Sequence, residues 1–123
     1  MIAANFDITI DRATDWSIVL TIKDAYGTAI NLNATYGGSS VKYIFAGEIR
    51  NKLTKKEVAV FDLTKLAGTT GVLTIGLTKA KSSLLREADT YEYDIFLVDQ
   101  EPVTDTYTRL LEGDCFVQNN ITR

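Results

Sequence analysis

"YEYDIFLVDQEPVTDTYTRLLEGDCFV", residues 91–117, is the stretch whose reading decides the fold class. Tyr91, Tyr93, Ile95 and Leu97 alternate with Glu92, Asp94, Phe96 and Val98, so one set lies on each face of a strand. A polar turn follows around Pro102, the only proline, where a missing N–H costs nothing. Tyr107, Arg109, Leu111 and Gly113 then resume the same beat. The pattern predicts a β-hairpin ending beside a further short strand.

The same period recurs upstream. "FDITI" puts Phe6, Ile8 and Ile10 on one face, and "WSIVLTIK" puts Trp16, Ile18, Leu20 and Ile22 on one face and Ser17, Val19, Thr21 and Lys23 on the other. The loop "DRATD" separates these two strands, and "DAYG" closes the second as a turn. A short extended piece, "AINL", leads into the glycine- and serine-rich loop "NATYGGSS". "VKYIFAGEIR" follows with Val41, Tyr43, Phe45 and Ile49 together, and its interior Gly47 marks a bulge or a close backbone approach. "EVAVFDL" and "GVLTIGL" supply two more strands. Helical spacing appears only in "LTKAKSSLLREAD", residues 77–89, which predicts one helix of two or three turns with Thr78 as N-cap. Short strands at near-regular spacing predict an all-β protein, an immunoglobulin-like antiparallel β-sandwich with one short helix. The 123 residues are read as a single domain spanning 1–123. A chain of this size buries roughly 65% of its unfolded surface and needs no disulfide or metal staple.

Composition narrows the function classes. Sixteen acidic residues against thirteen basic ones give a net charge of −3, which argues against nucleic acid as a partner. The densest basic run, "KLTKK" at 52–56, reads as a solvated turn. No apolar run approaches the roughly 20 residues needed to cross a bilayer, and the N-terminus lacks a signal-peptide pattern. No membrane role is expected, and synthesis in a cytoplasm is. The single cysteine, Cys115, has no internal partner and is read as a buried apolar residue.

With no histidine in the chain, Ser-His and Cys-His nucleophile pairs are excluded, as is a histidine base. No phosphate-cradling loop precedes a helix. Carboxylates are plentiful, but the sequence singles out no catalytic pair, and the chain is read as no enzyme, with no cofactor. Transition-metal ligation wants His or Cys, leaving only Cys115. Asp99, Glu101 and Asp105 cluster in "DQEPVTD", with a spacing that does not match a helix-flanked calcium loop. They are read as a hairpin tip kept soluble by acids, and Asp11 and Asp15 in "DRATD" likewise. Trp16 shares the phase of Ile18 and Leu20 and belongs to the core, whereas Tyr26 and Tyr36 are the candidates for exposed aromatics. Val19, Ile44, Phe96 and Leu110 fall on the nominally polar phase. They mark either a binding face or a strand covered on both sides.

The order of these signatures carries a resemblance. "DWSIVLTIKD" before a turn and "AINL", the strand end at Ile49-Arg50, "GVLTIGLT" leading to a short helix, and "YEYDIFLVD" followed by "RLLEG" are the residues concerned. Together they resemble the N-terminal, tail-attaching β-sandwich domain of phage baseplate upper proteins and related small tail or neck proteins. Those proteins continue into a coiled stalk, whereas this sequence stops at "NNITR", so the resemblance implies a connector, decoration or adaptor. It implies a structural virion protein of a tailed bacteriophage, made in the host cytoplasm and located in the virion, in multiple symmetric copies. Its expected partners are other virion proteins of the tail, baseplate, fibre attachment or neck. The expected contacts are the 33–40 loop, the 99–105 turn or the terminal segments. The alternative is a small carbohydrate-binding or host-surface adhesin module.

Overall fold

A computed structural model describes residues 4–23, 26–36, 40–66, 71–100 and 105–118. Among them the larger sheet contains β1 (Ala4–Asn5), β2 (Ile8–Asp11), β6 (Tyr43–Asn51), β7 (Glu57–Val60), β10 (Tyr91–Gln100) and β11 (Asp105–Gln118). The smaller contains β3 (Trp16–Thr21), β8 (Asp62–Lys65) and β9 (Val72–Leu77), and β4 (Thr35–Tyr36) pairs with β5 (Ser40–Val41) by itself. The single helical turn is α1 (Lys79–Ser82). Strand order is β1-β11-β10-β6-β7 in the large sheet, with β2 also on β11, and β3-β9-β8 in the small one. In the immunoglobulin scheme these are the G-F-C-C′ and B-E-D sheets. The protein is an immunoglobulin-like β-sandwich. Pairing is antiparallel except at the N-terminal edge, where β1 and β2 run parallel to β11.

The two inner faces meet over Ile10, Ile49, Leu73, Ile75, Tyr93 and Ile95, all buried as the alternation of their strands requires. "EVAVFDL" is not one strand. It breaks at Phe61, where the chain leaves the large sheet and enters the small one. The Phe61 N–H donates to the Gly47 carbonyl at 3.0 Å, and its ring stands edge-on to Tyr93 at 5.9 Å. A Cβ on Gly47 would lie 2.5 Å from Ile95 Cδ1 and 3.0 Å from the Asp94 carbonyl oxygen. Close approach, not a bulge in the β6–β10 ladder, is what this glycine serves. Trp16 packs on Phe61 at 6.2 Å and is only half-buried, at the margin of the core rather than inside it.

Three further expectations change. The helix is one turn, capped by Thr78 as its side chain suggests, and residues 83–89 continue irregularly, with turns at 83–84 and 87–88. "FDITI" is interrupted at Phe6-Asp7, and Phe6 is exposed. The hairpin does not keep one beat. Ile95 pairs with Leu111 but Phe96 pairs with Arg109, so Leu110 is an extra residue in a β-bulge. The bulge shifts the phase by one: Leu110 and Leu111 are both buried, and Tyr107 and Arg109 point outward.

Near the start of β10 the Tyr91 hydroxyl accepts a hydrogen bond from the Arg86 N–H at 2.8 Å. This is the tyrosine corner of immunoglobulin-like sandwiches. Two residues on, where antibody domains carry a disulfide cysteine, stands Tyr93, whose hydroxyl donates to the Phe6 carbonyl. The "DRATD" loop is tied to the helix end. The Thr14 N–H donates to Ser82 Oγ (3.0 Å), which donates to the Thr14 carbonyl (2.6 Å), and Arg12 Nε reaches the Leu85 carbonyl (2.7 Å).

Candidate functional site

Alternation along β6, β10 and β11 decides what the large sheet shows to its outside. Glu48 and Arg50, Glu92 and Asp94, and Glu112 and Asp114 come from one end of these strands. Ile44, Val98 and Tyr107 come from the other, and Phe96 and Arg109 lie between. The face is therefore split into an ionic half and an apolar half.

In the ionic half Arg50 holds Asp94 through both of its terminal nitrogens, at 3.2 Å to Oδ1 and 2.9 Å to Oδ2. It also donates to Glu48 at 3.0 Å and approaches Glu92 at 3.5 Å. Asp94 is almost fully buried, which such bidentate pairing makes tolerable. The hydrogen bond to Asp94 is the main influence pushing the Arg50 guanidinium even further above its usual range, so it stays charged. Lys55 at 3.0 Å from Glu92 is the main cause holding that carboxyl below the ordinary carboxylate range. Lys52 reaches Asp114 at 2.8 Å, so the "KLTKK" turn feeds this lattice rather than a phosphate site. Glu48 and Glu57 share a hydrogen bond, which lowers the first carboxyl and raises the second. Sequence reading did not single out this pair, because a turn separates β6 from β7.

Arg50 and Asp94 form a wall between two shallow depressions. One, of about 630 Å³, is lined by Ala46, Glu48, Glu57, Val60, Asp62 and Phe96 among others. The other, of about 390 Å³, is lined by Asn5, Asp7, Glu92, Arg109, Glu112 and Asp114 among others. Phe96 carries the Arg109 guanidinium over its ring at 5.1 Å. Beyond it Val98 is only 2% exposed, flanked by its cross-strand neighbours Ile44 (42% exposed) and Tyr107 (66% exposed). Of the four apolar residues expected on the polar phase, Val19 and Ile44 are exposed, Phe96 is half-buried, and Leu110 is drawn inside by the bulge.

The remaining candidates disperse. Asp105 pairs with Gln100, which puts it on the opposite face of the sheet from Asp99, and Glu101 lies outside the described residues. Among the described residues no three metal-ligating side chains converge. Asp11 accepts from Gln118 Nε2 at 2.9 Å, whereas Asp15 accepts from the Lys79 N–H at 2.7 Å, so the two serve different structural bonds. Tyr26 is 93% exposed. The Tyr36 side chain, residues 37–39 of the expected contact loop, 101–104 of the expected contact turn, and 1–3 and 119–123 at the termini fall outside the description.

Burial pushes the Cys115 thiol up to about 12 and the Tyr93 hydroxyl up to about 12, so neither is an activated nucleophile at neutral pH. Glu57 is exposed to solvent rather than enclosed as the raised carboxyl of a catalytic acid is. The face offers shape, apolar contact and fixed charge. Comparison with models of known protein families matched none, and comparison with curated proteins found no relative.

Proposed function

We propose that this chain is a non-enzymatic structural protein of a tailed bacteriophage particle, a tail, baseplate, fibre-attachment or neck connector working through protein–protein assembly. The observation that carries the reading is the outer face of the large sheet. Ile44, Phe96 and Tyr107 form an apolar field around a buried Val98, and the Arg50–Asp94 lattice borders it. An apolar centre containing aromatics and arginine, bordered by charge, is the composition of protein interfaces. The segments that carry the baseplate-protein resemblance build the sandwich around that face. "DWSIVLTIKD" contains β3, "GVLTIGLT" is β9 with the helix cap, and "YEYDIFLVD" with "RLLEG" forms the β10–β11 pair.

In this reading other virion proteins dock on the face, and the protein is present in repeated copies. Mass spectrometry of purified particles is expected to find it, and particles assembled with Tyr107→Glu are expected to lack it although the variant folds. Particles devoid of the wild-type protein, with the protein left in the lysate supernatant, would refute the assignment. The rival reading as a carbohydrate-binding module leans on the exposed Tyr26, and a saccharide-specific signal on a glycan array would favour it.

A further inference from the structure

The sandwich has four lateral edges among the described residues, and three of them are blunted. β7 carries a register irregularity opposite Ile49-Arg50 and begins with Glu57. β8 is four residues long with Asp62 and Lys65 at its ends, and the N-terminal edge is split at Phe6-Asp7 into strands of two and four residues. Bulges, charges and very short edge strands are devices by which proteins prevent edge-to-edge pairing. β3 has none of them. Its six residues, "WSIVLT", contain no charge, proline or glycine, and their ladder to β9 runs without a break. In immunoglobulin domains strand A covers this edge. Here the N-terminal strand pairs with β11 of the other sheet instead.

The direction of the free backbone groups follows from one bond. The Ile22 N–H donates to the Gly71 carbonyl at 2.8 Å, so Leu20, Ile18 and Trp16 face β9 in the same alternation. The amides and carbonyls of Ser17, Val19 and Thr21 therefore point away from the sheet. The Ile30 N–H bonds to the Ile22 carbonyl, which places the 28–30 return on the β9 side, and among the described residues no strand pairs with the outer side of β3. The side chains of Ser17, Val19 and Thr21 are exposed, Val19 at 67%.

We propose that β3 pairs with β3 of a second copy of this chain, antiparallel across a two-fold axis through Val19, joining two small sheets into one. The sequence around Val19 is self-complementary in that register. Ser17 meets Thr21 of the second copy, hydroxyl to β-branched hydroxyl. Ile18 meets Leu20, and Trp16 meets the buried Ile22, which covers Trp16, Ile18 and Leu20, the side chains left half-buried at this edge. Asp15 meets Lys23 at both ends, acid opposite base. Because Ser17, Val19 and Thr21 all present their backbone groups outward, this register makes each of their cross-strand pairs a hydrogen-bonded one. A partner of another sequence would satisfy the backbone equally but would have no reason to match the palindrome. The pairing does not depend on the virion reading, since it requires only a second copy of the chain.

The test is sedimentation equilibrium of the purified chain, with cysteine cross-linking to read the register. A concentration-dependent dimer is expected, and Val19→Lys, which places two ammonium groups at the axis, weakens it at least about tenfold. Under mild oxidation Val19→Cys alone is expected to give a linked dimer. Ser17→Cys and Thr21→Cys each give none alone but link when mixed, because hydrogen-bonded pairs stand about 5.5 Å apart, within disulfide reach. Cys115 is buried and does not interfere. A chain that stays monomeric at millimolar concentration, a dimer insensitive to Val19→Lys, or Ser17→Cys linking to itself as readily as to Thr21→Cys overturns the proposal.

Discussion

Arg50→Met is the substitution that best probes how the outer face is held together. Asp94 is nearly out of contact with water and receives two bonds from Arg50, while the other cation near it among the described residues, Arg109 Nε, stands 4.0 Å away. Removing the guanidinium leaves Asp94 buried beside Glu48 and Glu92. Breaking a fully buried pair by deleting one partner costs about 3–5 kcal/mol. Arg50 keeps about a fifth of its side chain in water and Arg109 can close in, so about 2–4 kcal/mol is expected here. Asp94→Leu should cost less, about 1–2 kcal/mol, because Arg50 retains Glu48, Glu92 and water. The double variant Arg50→Met/Asp94→Leu replaces the pair by apolar atoms and should return to within about 1 kcal/mol of the parent. Urea unfolding at neutral pH with unchanged m-values measures all four corners of this cycle. Single losses that simply add in the double variant would refute the argument that the buried pair acts as a unit.

Alkaline pH should unfold the protein early. Tyr93 is raised to about 12 by burial from an ordinary value of 10, and Cys115 to about 12 from 9. A group raised in the folded state contributes stability that is full below its unfolded value and is lost as pH rises through the folded one. The loss should therefore run from about pH 9 to 12 in a pH-dependent melt, and Tyr93→Phe should remove the tyrosine's part of it. Native Cys115 should resist a thiol-labelling reagent at pH 8 and react fully in denaturant; fast native labelling would place the thiol outside the core. Ser82→Ala should cost about 1–3 kcal/mol, since the Thr14 N–H and carbonyl both lose their buried partner, and an unchanged melting temperature would contradict the loop–helix clamp. Trp16→Ala should cost about 2–3 kcal/mol, less than the 3–5 typical of a fully enclosed aromatic, because Trp16 sits at the core margin.

Fold class was legible in the residues because a two-residue period has one structural meaning. Where it ran uninterrupted, as in Tyr91–Leu97 and Trp16–Ile22, the inner and outer faces came out in the expected phase. The Thr78 cap and the close approach at Gly47 were equally local signals. A tyrosine corner could have been found too, since Tyr91 and Tyr93 stand at the spacing of corner tyrosine and disulfide cysteine. The Leu110 bulge was invisible: "RLLEG" alternates plausibly in either phase, and only pairing against β10 shows that one residue is extra.

Local sequence, then, determined which segments are strands, which face of most of them is apolar, and that neither histidine nor an internal disulfide is present. Tertiary structure decided everything that depends on which strands become neighbours. Gly113 lies where a Cβ would come within 2.4 Å of the Phe6 carbonyl oxygen, a constraint imposed by residues more than a hundred positions upstream. Arg50 and Asp94 read separately as two charges on a solvated face, and they became a buried bidentate pair only when β6 was laid against β10. The same choice of neighbours sent the N-terminal strand to β11 and, among the described residues, left β3 as a sheet edge. Side-chain periodicity is written within each strand, whereas strand pairing is chosen by the packing energy of the whole sandwich, so no single segment encodes it.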